Sequence, residues 1–334
     1  TAQDPSYPTF GPQKPPFNVA GTIAIIGGTV IDATGAPARA DQTVLIENGK
    51  ITKIGPTASV AVPDNAQRFD AAGMTVMPGL IASNQHIQLN PLYPAPVADI
   101  SMEELRAGWE NNFAEMPRKA WIYLMQGVTT MRQTSGPMNR VLPIKKRIDA
   151  GEIPGPRLLL GGALLMSPQH FDWYVKANRS SPEAIEWLRN DFAYYILNDI
   201  DKDTDALLGE DINFWKLYLS FEPFDGKNDF TDAQLKRIID KAHKAGKSVD
   251  VHTNFSPEGY KRLLKFDIDS LEHPFHTEFL HDEKVIAEYA RKGIIIDTLL
   301  RVRVAATEHA MDPHRFDETD YIMSMTPEEH RILM

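Results

Sequence analysis

His86, Lys216, His252 and His273 each close, or nearly close, a segment that reads as a β-strand. In an α/β barrel the C-terminal strand ends form one functional face, so these four side chains are expected to converge there. Two imidazoles with an oxygen donor suit Zn²⁺ in a catalytic site, which keeps one position open for water. A lysine ammonium cannot ligate as it stands, having three donors and no acceptor. The chain contains no cysteine. Disulfides, thiolate metal sites and a cysteine nucleophile are therefore excluded, and any metal must be held by N and O donors. No G-x-S-x-G elbow occurs, so a nucleophilic serine mechanism has no support.

Each of these residues also has an ordinary reading. Taken singly, a strand-end His is more often a core or loop residue than a ligand, and a buried strand Lys can be a salt-bridge partner. His170, in Met166-Ser167-Pro168-Gln169-His170, and Tyr218, just beyond Lys216, are candidates to touch substrate; the alternatives are a solvated loop His and core packing. His243 lies on a helical stretch and reads as structural. The aromatic group Phe171, Trp173, Tyr174, Trp187, Phe192, Tyr194 and Tyr195 reads as lid or interface packing rather than a cofactor box.

The elements that must position the candidates follow from local pattern. Residues 1–21 are proline-rich with little periodicity and read as an extended arm. Residues 22–70 follow a β pattern. There Asn48-Gly49 separates two strand-like runs and predicts a hairpin, because Asn-Gly readily takes the positive φ values of a type I′ turn. After Gly79 strands alternate with helices, the pattern that builds parallel sheets.

Within that stretch Thr231-Asp232-Ala233-Gln234 has capping-box form, and Leu235, Ile238, Ile239 and Ala242 make a stripe at helical spacing that Gly246 ends. Ser256-Pro257 opens another helix. Val285, Ile286, Tyr289 and Ala290 stripe a third, stopped at Gly293, after which residues 293–299 read as a buried strand. Residues 301–334 are mostly charged and helical in tendency, with a helix start at Thr326-Pro327-Glu328-Glu329.

Composition sets bounds on the setting. With 334 residues and 43% apolar content a large core is attainable, and acidic residues exceed basic ones, 45 to 35. No basic cluster stands out, so neither nucleic acid nor an anionic membrane is an expected partner. No apolar run approaches the roughly 20 residues of a membrane span. The chain begins Thr1-Ala2-Gln3 without an initiator Met, which points to a removed signal peptide or a trimmed start. The expectation is a periplasmic or secreted protein, with a cytoplasmic one as the alternative.

Several segments together resemble the amidohydrolase superfamily, in its imidazolonepropionase-like and prolidase-like branch. Residues 76–86, Val-Met-Pro-Gly-Leu-Ile-Ala-Ser-Asn-Gln-His, look like the superfamily's entry into its first barrel strand. Gly127-Val128-Thr129-Thr130-Met131-Arg132 is similar to the second-strand segment, and Gly155-Pro156-Arg157 to the third. Phe214-Trp215-Lys216 resembles the fourth, Val249-Asp250-Val251-His252 the fifth and Ser270-Leu271-Glu272-His273 the sixth. The resemblance implies a TIM-like (β/α)8 barrel, seven of whose strands are in this chain, with a small N-terminal β-sandwich domain. The implied division is an arm over 1–21, a partial sandwich over 22–78 and an incomplete barrel over 79–334.

It also implies a metal-dependent hydrolase of C–N bonds acting on a small-molecule or peptide-like substrate. His86, Lys216, His252 and His273 are the implied Zn²⁺ ligands, Lys216 as a carbamate made from CO₂. Two departures matter. Asn84 stands where the first His ligand is expected, so one divalent metal is expected rather than two; Gln133 stands where many relatives carry Asp. The eighth strand and its Asp have no counterpart, so the expectation is completion by a downstream fragment or second chain, in an oligomer. A catalytically degenerate member serving as a structural or interaction subunit is the contrasting expectation.

Overall fold

The computed structural model describes residues 21–88, 100–190, 194–219, 229–253, 257–274 and 282–298. The arm before Gly21, the helical tendency from Arg301 onward and the cap at Ser256 lie outside the described residues. These residues fall into two compact units, divided between Leu80 and Ile81.

The N-terminal unit is one five-stranded sheet among the described residues. β1 (Thr22–Val30) runs through its centre, antiparallel to β2 (Arg39–Glu47), which is paired in turn with β3 (Lys50–Pro56). β4 (Gln67–Asp70) and β5 (Thr75–Val76) lie parallel to β1. The β2–β3 turn is made by Asn48 at φ 50° and Gly49 at φ 75°. Positive φ at both central residues is the type I′ requirement, whose twist matches that of the strands it joins.

The second unit is mixed α/β with two parallel sheets. β6 (Leu80–Gln85), β7 (Val128–Gln133) and β8 (Arg157–Leu160) form the first, in that order. β9 (Leu164–Met166), β10 (Tyr194–Ile196), β11 (Phe214–Leu219), β12 (Ser248–Thr253), β13 (Ser270–Glu272) and β14 (Ile295–Asp297) form the second, ordered β10-β9-β11-β12-β13-β14. Its pairings, like β7–β8, are parallel. Such strands need crossover helices. These are α1 (Met102–Met125), α2 (Met138–Asp149), α3 (Pro168–Ala177), α4 (Pro182–Asn190), α5 (Ile200–Leu208), α6 (Asp232–Lys244), α7 (Pro257–Leu263) and α8 (Glu283–Lys292).

The third strand is broken into β8 and β9 at Gly161-Gly162, and the break joins the sheets. Gly161 N–H donates to Gln133 O at 2.9 Å, and Asn213 N–H to Leu160 O at 2.7 Å. A Cβ at Gly161 would stand 2.5 Å from the Phe214 ring, and Gly162 has φ +72°, so this corner is built for residues without side chains. On the far side, the Asn84 amide of β6 hydrogen-bonds Glu272 of β13.

Alternation along the strands sorts the side chains. Trp215, Leu217 and Leu219 of β11, Val249 and Val251 of β12 and Leu271 of β13 are fully buried in the core that also takes Leu235, Ile238, Ile239 and Ala242 of α6. Full burial of such a side chain stabilises the fold by about 1.5–3 kcal/mol. Since successive residues of a strand point to opposite faces, Lys216, Tyr218, Asp250, His252 and Glu272 are sent together to the other one. Thr231 caps α6 with the expected box to Gln234.

The last strand departs from expectation. β14 covers three residues, and Ile295 is 62% exposed rather than buried. No described helix is long and apolar enough to cross a membrane.

Candidate metal centre

Strand register puts the candidate residues in two adjoining rows. Lys216 is paired with Asp250, and Asp250 with Ser270; the next inward row is Tyr218, His252, Glu272 and Asp297. The His252 and His273 rings meet edge to face with centroids 4.2 Å apart, and the Tyr218 ring lies at the same distance from His252. His86 follows β6 and is held from below: its Nδ1 is 2.7 Å from Ser135 Oγ and its Nε2 3.4 Å from Thr134 Oγ1. Lys216, 1% exposed, sends its Nζ to 3.4 Å from Glu272 Oε2, with no hydrogen bond of ordinary geometry.

His273 itself has φ 40°, in the left-handed region that a residue with a Cβ rarely adopts. Its backbone N–H donates to Asp297 O at the end of β14. Non-glycine residues held there cost about 1–3 kcal/mol and are retained only where surrounding structure over-determines them.

Electrostatics favours neutral imidazoles. Burial, the Lys216 charge and His273 together hold His86 down to about 3. His252 is held well below its usual value by burial first, then by His273 and Lys216. Burial likewise drives Lys216 down and Glu272 up, each opposed by its partner's charge. A neutral imidazole is the form that ligates a metal.

A surrounding layer fixes these groups. Arg132 pairs with the buried Asp250, its guanidinium 4.3 Å from the Phe214 ring centroid. Gln133 accepts from Ile87 N–H at 2.8 Å and donates to Gln88 and to Ser135 O, so it ties down the loop after β6 and touches none of the imidazoles. His243 bonds Asp269 at 2.9 Å, away from this cluster. Phe171 and Trp187 pack in a separate small core with Leu105 and Trp109 of α1, whereas Phe192 and the Tyr194 side chain lie outside the described residues.

His170, far from being solvated, is fully buried at the start of α3. Its Nδ1 lies 2.9 Å from Tyr218 O, its ring stacks on Tyr218 at 4.9 Å, and Asp229 Oδ2 is 3.5 Å away. It reaches the cluster through Tyr218. Burial lowers His170 to about 4 and raises Asp229 to about 6.

Those two shifts have opposite linkage signs. Between pH 6.5 and 4 the unfolded chain protonates His170 and the native one does not, so stability falls with acidification; between pH 6 and 3.8 the native Asp229 holds the extra proton, so stability rises. The two cancel over pH 4–6. Asp229→Asn is expected to expose the His170 term as a loss on the order of 3 kcal/mol between pH 6 and 4, beyond that of the wild type. Urea unfolding at a series of pH values checks this, and parallel profiles would refute it.

Asp250, Glu272, Asp297, Thr134 and Ser135 were not among the sequence candidates. Two of them carried a signal: Asp250 and His252 alternate on one strand, and Glu272 immediately precedes His273. Thr134 and Ser135 matter only through contacts across strands.

Among the described residues no three His, Asp or Glu side chains already stand in a metal-holding group. The donor chemistry nonetheless fits a divalent cation, because neutral imidazoles converge beside a fully buried lysine whose Nζ lacks a hydrogen bond. Lysine must gain oxygen atoms to join them.

No family model matches the chain. Among solved structures it is similar to molinate hydrolase, at 24% identity and TM-score 0.66 over 84% of this chain and 64% of that one. A Xaa-Pro dipeptidase with bound methionine matches at 18% and 0.67, over 94% of this chain and 73% of the other. Phenylurea hydrolase B matches at 22% and 0.68, over 83% and 64%. The chain shares the fold of these solved structures. The match spans less than two thirds of the length of molinate hydrolase and of phenylurea hydrolase B. A stretch of 71 residues is also 37% identical to the 5-methylthioadenosine/S-adenosylhomocysteine deaminase of Symbiobacterium thermophilum, over 21% of this chain and 16% of the deaminase. In this fold the cluster stands at the C-terminal strand ends, where α/β barrels carry their active sites.

Proposed function

We propose that the chain is a metal-dependent hydrolase of C–N bonds in amide, peptide-like or N-acyl substrates. The observation that carries this reading is the meeting of His86 and His252, both held neutral by burial, with His273 and buried Lys216 at one end of the parallel strands. In this reading the three imidazoles would be the nitrogen donors that hold one Zn²⁺. Lys216 would join them as a carbamate, formed when its neutral amine adds to CO₂ and loses a proton, and would supply oxygen donors. Bound there, the cation would polarise the scissile carbonyl and acidify water to a pKa of about 7.

The remaining roles fall to the chain's own groups. Tyr218, half-buried over His252, forms the wall against which substrate rests, and His170 positions it from behind. In this reading an Asp acting as base and then acid would come from outside the described residues. The finer architecture in this proposal is a (β/α)8 barrel over residues 79–334 with a small sandwich domain over 22–78. A cysteine-free composition suits a periplasmic or secreted setting.

The test is turnover of N-acyl amino acids and Xaa-Pro dipeptides by the full-length protein before and after chelation. Activity should vanish with the metal and return with Zn²⁺. Undiminished turnover after metal removal, or failure of the protein to take up any divalent metal, would overturn the reading.

A further inference from the structure

Three elements converge on His170. Its Nδ1 lies 2.9 Å from Tyr218 O at the end of β11, and since a carbonyl only accepts, the proton of the neutral ring sits on Nδ1. Asp229 Oδ2, on the segment that enters α6, is 3.5 Å from the same nitrogen. That is beyond ordinary hydrogen-bond length, yet close enough for the carboxylate charge to attract the N–H dipole in a buried setting. The ring so held lies on Tyr218 at an interplanar angle of 8°, and Tyr218 in turn meets His252 at 4.2 Å.

Asp229 is rigidly set. Its side chain is fully buried, Oδ1 accepts from Phe230 N–H at 2.7 Å, and Oδ2 makes no hydrogen bond of ordinary geometry. Phe230 is buried in the main core, and Arg262 donates to its carbonyl at 2.8 Å. The helix does not need the charge, because Thr231 caps α6 through its own hydroxyl. A buried carboxylate without full pairing is costly, and an asparagine could serve Phe230 N–H equally well. Of the groups around it, Arg262 is bound to Asp232 and to Phe230 O, and Ser167 caps α3, so the charge acts chiefly on the His170 N–H.

We propose that Asp229 is a positioning residue for the substrate wall: its carboxylate fixes the plane of the His170 ring and, through the ring stack, the tilt of Tyr218 over His252. The inference rests on the reading of Tyr218 as that wall. Asp229 touches no substrate and acts only through His170. The charged and titratable groups facing it are Arg262 and His170, and those facing His170 are Asp229, Tyr218 and His252. Raised by burial to about 6, the carboxylate loses its charge as pH falls through that value, while His170 stays neutral until about 4. Substrate affinity should therefore weaken below that first value with the imidazole still unprotonated.

The test compares Asp229→Asn with the wild type in the full-length protein, on an N-acyl amino acid or Xaa-Pro dipeptide that it hydrolyses. Asp229→Asn is expected to raise KM about tenfold at neutral pH with kcat changed less than about twofold, the effect of one interaction with a charged group that acts on binding alone. It should also abolish the rise in KM that the wild type shows below about pH 6. A second measurement needs no folded variant. In the wild type carrying nitrogen-15-labelled histidine, the His170 Nδ1 resonance, assigned with His170→Gln, should move with a midpoint near pH 6 while both ring nitrogens keep the shifts of a neutral ring. An unmoved resonance, or an unchanged KM and pH profile in folded Asp229→Asn, would overturn the inference and leave the hydrolase reading standing. Absence of turnover on every such substrate would overturn the hydrolase reading, with the His170 resonances still deciding this one.

Discussion

Lys216→Ala is expected to lose bound metal and hydrolytic activity together, with turnover falling by several orders of magnitude. The lysine is 1% exposed and its Nζ makes no hydrogen bond of ordinary geometry. A buried ammonium in that state is costly, and burial accordingly pushes it towards the neutral amine. The neutral amine is the form that reacts with CO₂, and in the proposed site the product would supply the oxygens that the imidazole cluster lacks. Short carboxylic acids such as acetate should partly restore metal binding and turnover in the variant, because they place two oxygens in the volume the side chain vacates. Intact mass of the metal-loaded wild type should exceed the sequence mass by one CO₂ when recorded under non-acidic conditions. A plain lysine beside an occupied metal, or a Lys216→Ala protein that keeps its metal, would contradict the assignment.

What the sequence made legible was decided at short range. The Asn48-Gly49 turn, the Thr231–Gln234 capping box, the α6 stripe and the glycine at the end of α8 each depend on a few neighbouring residues, and each is present. Placing His252 and His273 near strand ends needed no more than that, and their 4.2 Å approach follows from parallel strands in register. The partners of Asn84 were out of reach because Glu272 lies 188 residues away and meets it only when the strands bend round. The split of the third strand at Gly161-Gly162 is likewise a property of two sheets meeting. Helix α1 contains Pro117 within its length, where proline ordinarily breaks a helix, so a punctuation rule would divide it. The solvated-loop alternative for His170 fails because its buried ring stacks on Tyr218, a contact 48 residues away in sequence that its own segment does not signal.

His252→Ala and His273→Ala should each remove most of the bound metal, but the two variants are expected to differ in stability for a reason that has nothing to do with metal. Loss of one nitrogen donor from a site with few ligands should cost at least about a hundredfold in affinity, exceeding the 10–100-fold typical of outer-shell changes. His273 also carries a backbone burden, since its φ of 40° is strained for any residue with a Cβ. Alanine keeps that strain and glycine removes it, a difference of about 1–2 kcal/mol offset in part by the greater freedom of glycine in the unfolded chain. His273→Gly should therefore be as poor a metal binder as His273→Ala and yet unfold at higher denaturant, by about 1 kcal/mol. At position 252, which lies within strand β12, glycine should instead be the less stable of the pair, because strand backbone gains nothing from it. Metal content by elemental analysis and urea midpoints for the four variants separate the two effects. Unchanged metal in all four would make the histidines structural, whereas an Ala variant at 273 more stable than Gly would mean that the left-handed backbone there carries no strain.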